Sequence, residues 1–331
     1  MNNKRFWFLV YPDIPKPIGG VKQIHRVAEM LDSLGFQSFL VQEDATFHPQ
    51  WFESSVRTIS RELWQDVKSK LQPNLDFIVI AETFLPIIPS LPQSIAVIVF
   101  NQNSSYTFGL SDSSRFDIDK TIELYSHQSI VQIWCVSEYD RRFLNGSVNV
   151  PSDKVVLIKN PIELAPHTTF PKKKKQITYM PRKNKYHSSV VTSLLRQQSW
   201  CSDFDFIPIQ NFTHQDVLNH LRESLLFLSF GHPEGFGLPL AEALVSCCAV
   251  VGYSGLGGRE LINVALNANT AGVVEYGDFN GFIDQTFLIL SFMNQDFPDF
   301  ATRALQVSQR IGDEYSMQSF RSSLSRAVSH L

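Results

Sequence analysis

Glu234-Gly235-Phe236-Gly237-Leu238-Pro239-Leu240-Ala241-Glu242 sets two carboxylates eight residues apart around a glycine-rich turn. Glycine has no Cβ, so Gly235 and Gly237 allow a sharp turn and a close approach of backbone to ligand. Proline disrupts a helix interior but suits its first position, which predicts a helix starting at Pro239. Glu242 then falls about one turn inside that helix, and Glu234 stays in the loop before it. Free amides and a positive dipole end therefore lie between two acids. A phosphate can rest on such amides while hydroxyl groups donate to each carboxylate. A phosphate between two polyols is the chemical outline of a nucleoside-diphosphate sugar.

Outward from this stretch, short β-rich runs alternate with helical periods, which argues for parallel sheets built from βαβ units. Strands are predicted at Phe6–Val10, Phe36–Val41, Phe77–Ala81, Ile95–Phe100, Val131–Val136 and Val155–Lys159. After the turn Pro12–Gly20, residues Val21, Ile24, Val27, Ala28, Leu31 and Leu34 mark one face of a helix that Gly35 should end. A second series of strands follows at Gln176–Met180, Phe204–Ile209, Leu225–Ser229, Ala249–Gly252 and Gly272–Glu275, then helices broken near Pro298 and Gly312. The expected fold class is α/β with two Rossmann-like domains whose parallel sheets face across a cleft. Residues 1–165 are expected as the first domain, 166–175 as a linker, 176–312 as the second domain, and 313–331 as a C-terminal helix. Ligands bind such sheets at the carboxyl ends of the strands.

The 331 residues are 44% hydrophobic, enough for two domains. A net charge of −3 and a pI near 6.3 do not mark a nucleic-acid binder. The lysine run Lys172–Lys175 reads as a solvated linker, with peripheral contact to an anionic membrane surface as the alternative. No window has the ~20 apolar residues of a membrane span, and the residues before Phe6 are too few for a secretory signal. Cys135, Cys201, Cys247 and Cys248 show no CxxC spacing, so neither a disulfide framework nor a zinc site is expected. A cytoplasmic location follows as the expectation. Asp117-Ile118-Asp119 and Asp203-Phe204-Asp205 match a short metal-diphosphate pattern that is common by chance, and neither lies near the glycine turn.

The segment Pro233–Glu242, with Gly257-Gly258-Arg259-Glu260 downstream, resembles the signature of retaining glycosyltransferases of family 4, which have the GT-B fold. Residues 225–260 carry most of the resemblance. Weaker similarity covers nearly the whole chain, at Gly19-Gly20, Val136-Ser137-Glu138 and Ile158-Lys159-Asn160-Pro161. The resemblance implies that Glu234 binds donor-sugar hydroxyls and that Glu242 accepts the ribose hydroxyls. It implies that amides of Gly235, Phe236, Gly237 and Leu238 hold sugar and diphosphate, and that Gly19 and Gly20 approach the phosphate from the first domain. Arg182, Lys183 and Lys185 stand where the family sets cations against the diphosphate, with Lys185 slightly preferred over Lys183. The family's Gly-Arg pair is absent here: the chain reads Met180-Pro181-Arg182-Lys183-Asn184-Lys185. Family members often carry a first-domain histidine where this chain has Asn101-Gln102-Asn103. Gln102 and Asn103 are thus candidate sugar or acceptor contacts, with a turn-forming Asn cluster as the alternative reading. Cys247 stands where a glycine usually ends the helix.

The resemblance implies transfer of a hexose, first guess glucose, from a UDP-sugar to a hydroxyl of a glycan or lipid-linked acceptor. Retention of configuration is implied, with no cofactor and no metal. Bacterial exopolysaccharide or envelope-glycan assembly is the implied setting. The alternatives are a non-catalytic nucleotide-sugar-binding subunit and a nucleotide-sugar 2-epimerase of the same fold.

Overall fold

The computed structural model describes residues 3–10, 13, 15, 18–109 and 117–331. Parts of the expected turn Pro12–Gly20 and of the loop Ser104–Arg115 lie outside the described residues. The chain divides into two compact units, Met1–Asn160 with Phe320–Leu331, and Pro161–Ser319.

The first unit contains β1 (Arg5–Leu9), α1 (Gly19–Ser33), β2 (Gln37–Gln42), β3 (Arg57–Ser60), α2 (Arg61–Lys68) and β4 (Asp76–Ala81). It continues with β5 (Ala96–Asn101), α3 (Ile118–Leu124), β6 (Ile130–Cys135), α4 (Glu138–Arg142) and β7 (Val155–Leu157). The seven strands are all parallel, in the order β3-β2-β1-β4-β5-β6-β7. All six residues of β4 are buried, as expected of a parallel strand covered on both faces. Asp76 begins that strand and ties it to β1. Its carboxylate takes both Arg5 Nε and Nη2, at 2.7 and 2.6 Å, and Trp7 Nε1 at 2.8 Å. Gly35 follows α1 at φ +88°, the left-handed stop that the sequence predicts. The edge strand β3 was not expected from sequence.

The second unit begins with β8 (Lys174–Tyr179), α5 (Lys185–Arg196), β9 (Asp205–Pro208), α6 (His214–Glu223), β10 (Ser224–Ser229) and α7 (Leu238–Val245). Then come β11 (Ala249–Gly252), α8 (Arg259–Asn267), β12 (Ala271–Val273), α9 (Phe279–Gln295), α10 (Phe297–Glu314) and α11 (Met317–Val328), whose end belongs to the first unit. Five parallel strands run in the order β12-β11-β10-β8-β9. Ile177, Leu226, Leu228, Val251 and Phe282 are buried in its core.

The helix break expected near Gly312 falls at residues 315–316, between α10 and α11. Gly312 itself lies inside α10; a Cβ there would come within 2.8 Å of the Pro166 ring, so glycine lets that ring pack on the helix. The segment expected as a linker already carries the start of β8 at Lys174. Lys173 Nζ donates to Ser246 O at 2.6 Å and to Leu221 O at 3.3 Å, near the C-terminal ends of α7 and α6, where a cation suits the helix dipole. Lys174 pairs with Glu223 at 2.6 Å, and Lys175 pairs with Asp203. Among the described residues no helix is long and apolar enough to cross a membrane.

Candidate functional site

Each sheet reverses its strand order beside its first strand, at β1/β4 and at β8/β10. Such switch points open a crevice at the carboxyl ends of the strands. At β8/β10 the loop after β8 brings Lys183, and the loop after β10 brings Glu234. Lys183 Nζ forms an ion pair with Glu234 Oε1, the two side chains only 25% and 17% exposed.

The backbone of Glu234 is held on both sides. Its N–H donates to Gly255 O at 2.6 Å, and Gly257 N–H donates to Glu234 O at 2.9 Å, forming a parallel bridge to Leu256. Any Cβ on Gly257 would lie 1.7 Å from Gly235 O. This is the physical reason for the downstream glycine pair: the two loops pass in direct backbone contact. Asn184 ties the basic loop to the acidic one. Its Nδ2 donates to Phe230 O at 2.6 Å and to His232 O at 3.2 Å. It holds φ +55°, a left-handed conformation that asparagine tolerates better than most residues. Sequence reasoning missed this residue; its signal was an asparagine directly before a helix start.

The helix α7 starts one residue earlier than expected, at Leu238, with Pro239 in its first turn. Gly237 stands before it at φ +86°, and no side chain caps the helix. The first amides of a helix have no intrahelical partner and carry the positive end of its dipole. Gly237 and Pro239 of this turn line a pocket together with Lys183, Ser229, Gly231 and Glu234, among others. The Phe236 ring points elsewhere. It is buried, with its centroid 4.9 Å from that of Tyr315, whose hydroxyl donates to Glu260 Oε1 at 2.9 Å. Gly235 is buried and Leu238 half-buried.

Glu242 is buried on α7, and His214 Nε2 donates to its Oε1 at 3.0 Å. His214 is the first residue of α6, a second residue that sequence reasoning missed. Arg182 and Lys185 are exposed and make no ion pair among the described residues. Lys185 opens α5, while Lys183 reaches the acid. His232 stacks edgewise and tilted on Tyr253 and Tyr276, with centroids 6.1 and 4.7 Å away, and burial pushes its imidazole below the usual range.

In the first unit, Gly19 and Gly20 begin α1, again without a side-chain cap. A Cβ on Gly20 would sit 3.0 Å from Gln102 Oε1, so these two candidates are neighbours. Glu82, directly after β4, accepts the amides of Gln102 and Asn103 at 3.0 Å each. Asp140 accepts Ser104 N–H at 2.9 Å and the Ser137 hydroxyl at 2.9 Å. Burial pushes the Glu82 carboxyl up to about 7, opposed by the Gln102 amide and reinforced by Asp140. The Asn103 side chain accepts Ser105 N–H at 3.1 Å. Asn101 Oδ1 accepts the Tyr125 hydroxyl at 2.8 Å, and its Nδ2 donates to Ser104 Oγ at 3.2 Å. Asn103 thus bonds within its own turn and Asn101 to Ser104 and Tyr125, while Gln102 stands beside Gly20.

All four cysteines are buried and free; burial pushes the Cys201 and Cys247 thiols up to about 11, out of the reactive range. Among the described residues no group of three His, Cys, Asp or Glu side chains could hold a metal ion.

No protein-family model matches the chain. A stretch of 51 residues, 15% of this chain, is 39% identical to an alpha-1,6-glucosyltransferase of Actinobacillus pleuropneumoniae serotype 7 (strain AP76) and spans 16% of that relative. Likeness to solved structures extends over nearly the whole length. Sucrose-phosphate synthase of Thermosynechococcus elongatus superposes with a TM-score of 0.70 at 12% identity, covering 99% of this chain and 98% of that one. A point mutant of TarM of S. aureus, solved with Fondaparinux, alpha-GlcNAc-glycerol and UDP, gives 0.70 at 11% identity over 98% and 99%. The pneumococcal O-GlcNAc transferase GtfA, solved with UDP and GlcNAc, gives 0.65 at 8% identity over 99% of each chain. Two parallel-sheet units, of seven and five strands, are the α/β architecture shared with these glycosyltransferases, the GT-B fold.

Proposed function

We propose that this protein is a retaining hexosyltransferase that moves glucose from UDP-glucose to a hydroxyl of a glycan or lipid-linked acceptor. The observation that carries the reading is the Lys183–Glu234 pair, which stands beside the uncapped first turn of α7. An ammonium, a carboxylate and free amides in one pocket match a sugar diphosphate group by group. The diphosphate lies on the α7 amides, with Lys183 and Arg182 as its cations and Lys185 in reserve at the start of α5. Glu234 accepts hexose hydroxyls and Glu242 accepts those of the ribose. Glucose is the first choice of sugar because the 39%-identical stretch belongs to a glucosyltransferase.

The reaction breaks the bond from the anomeric carbon to the phosphate oxygen and forms one to the acceptor oxygen. The acceptor proton passes to the departing diphosphate. Negative charge grows on that leaving group, and side-chain cations with the helix dipole stabilise it where they are already oriented. No metal is required in this scheme. Glu234 contributes by position, holding the hexose against the line of attack.

The test is incubation of the purified protein with UDP-glucose, UDP-galactose, UDP-GlcNAc and GDP-mannose, with and without a crude glycan fraction. Slow release of glucose from UDP-glucose is expected, faster with acceptor, and NMR of the product should show the donor's anomeric configuration. Turnover of none of the four overturns the reading. One observation favours a second one: Asn103 bonds within its own turn and Asn101 to Ser104 and Tyr125, which fits a nucleotide-binding subunit without catalysis. Tight UDP binding with no turnover of any donor would select it.

A further inference from the structure

We infer that His214 is a positioning residue of the nucleotide pocket: it orients the Glu242 carboxylate so that the protein distinguishes ribose from deoxyribose. The inference rests on the reading of Glu242 as the ribose acid. Glu242 is 9% exposed on α7, and its Oε1 accepts His214 Nε2 from α6 at 3.0 Å. Among the described residues no other side chain donates to this carboxylate. A carboxylate has two oxygens and about four acceptor positions, so one contact leaves most of its capacity unused. The acceptor positions that remain are suited to hydroxyl donors.

The single contact has a geometric effect. Without it the carboxylate could rotate about its terminal torsion, which is broad. With Oε1 held by an imidazole, the plane is set and Oε2 is presented in one direction. Orientation achieved before the ligand arrives lowers the ordering cost of binding. His214 is itself anchored, because it opens α6 next to the cap Thr213. The Thr213 hydroxyl accepts Asp216 N–H at 3.2 Å and contacts Asp216 Oδ2 at 2.7 Å. The His214 side chain is 29% exposed and that of Glu242 12%. The pair thus lies near enough to solvent for a ligand to reach it.

The experiment measures the affinity ratio of UDP to 2′-deoxy-UDP by calorimetry on the full chain, for native protein, Glu242→Ala, His214→Ala and His214→Gln. GDP and 2′-deoxy-GDP form a second probe pair. Native protein is expected to prefer the ribonucleotide about 10-fold, the worth of one good hydrogen bond. Glu242→Ala should bring the ratio to about 1, and His214→Ala should lower it roughly 3- to 10-fold. Glutamine places an N–H donor near the imidazole Nε2 and should restore most of the native ratio. A clip between α6 and α7 with no part in recognition would change the melting temperature and leave the ratio untouched. A ratio lowered in Glu242→Ala but native in His214→Ala overturns the role of His214 alone. A ratio unchanged in Glu242→Ala, or no preference in native protein, overturns the ribose reading and this inference with it. Should His214→Ala fail to fold, loss of the ratio in His214→Asn, with its shorter amide, beside retention in His214→Gln supports the role equally, and a native ratio in His214→Asn overturns it.

Discussion

The two switch points carry the same residue type and use it oppositely. Glu82 follows β4 at the first, and Glu234 follows β10 at the second. Glu82 is 2% exposed and accepts the backbone amides of Gln102 and Asn103. Glu234 keeps a partly exposed side chain, and its partner is the mobile-ended ammonium of Lys183. Backbone amides cannot leave, so Glu82 shapes a loop. A lysine head group can shift to a new anion, so Glu234 and Lys183 together remain available to a ligand. The helices α1 and α7 are alike in part: neither has a side-chain cap, α1 opening on Gly19 and α7 following Gly237. Beside the second stands the Lys183–Glu234 pair. What separates scaffold from site is the partner each acid holds.

The largest effect expected from this contrast is on turnover. Glu234→Ala should lower UDP-glucose turnover by about 100-fold while UDP still binds, because the loop is held through backbone bonds to Gly255 and Gly257 that alanine retains. Steady-state kinetics with calorimetry checks this; a fully active variant would remove Glu234 from the site and dissolve the contrast.

Glu82 provides the next largest effect, on stability against pH. Burial raises its carboxyl from 4.5 to about 7 in the folded protein. Between those values the native state holds a proton that the unfolded chain releases. Stability is therefore full below about 4.5 and falls as pH rises through 7, by up to about 3 kcal/mol. His25, pushed down to about 4 by burial, tilts the other way: its contribution is full above 6.5 and is lost as pH falls. Urea unfolding of native protein and Glu82→Gln at pH 5 and pH 7.5 separates the two, because only the Glu82 slope should vanish in the variant. An unchanged slope would mean that Glu82 is not held as an uncharged, buried acid.

Glu242→Ala ranks third. Loss of charge-assisted bonds to hydroxyls should weaken UDP binding about 10- to 100-fold, with a smaller effect on turnover at saturating donor. Calorimetry that finds native affinity would place Glu242 with Glu82, as an acid of the scaffold.

Features set by local pattern were legible in the chain. The buried runs Phe77–Ala81 and Ile95–Phe100 lie over β4 and β5, and the glycine turn with Pro239 lies at the start of α7. The edge strand β3 was not, because Arg57-Thr58-Ile59-Ser60 is four residues long, half-exposed and mostly polar. It becomes a strand only by pairing with β2. Within the site, both acids could be found from spacing, but their partners could not. His214 meets Glu242 across two helices and Lys183 meets Glu234 across two strands, so these contacts depend on packing that no short window contains. Asn184 was hidden for the same reason: its role depends on carbonyls that arrive from the loop after β10. No short window marks Glu82 and Asp140 either, since the amides they accept come from the distant loop Gln102–Ser104.

The smallest effect tests whether α7 is scaffold at one end and site at the other. Cys247 follows that helix at φ +60°, with its N–H donating to Leu244 O and that of Cys248 to Ala243 O, both at 3.0 Å. This is the left-handed stop usually made by glycine, and a residue with a Cβ is destabilised there by about 1 kcal/mol. Cys247→Gly relieves that strain but removes a side chain buried to 1% exposure, whose apolar burial contributes a similar amount, about 1 kcal/mol. The two terms oppose, so the melting temperature should move by no more than a few degrees, roughly what 1 kcal/mol produces. UDP affinity should not change, because Glu242 and the first turn of α7 stay in place. A shifted affinity would show that strain at the end of the helix is transmitted to its start, and the pocket could then no longer be treated as separate from the frame that carries it.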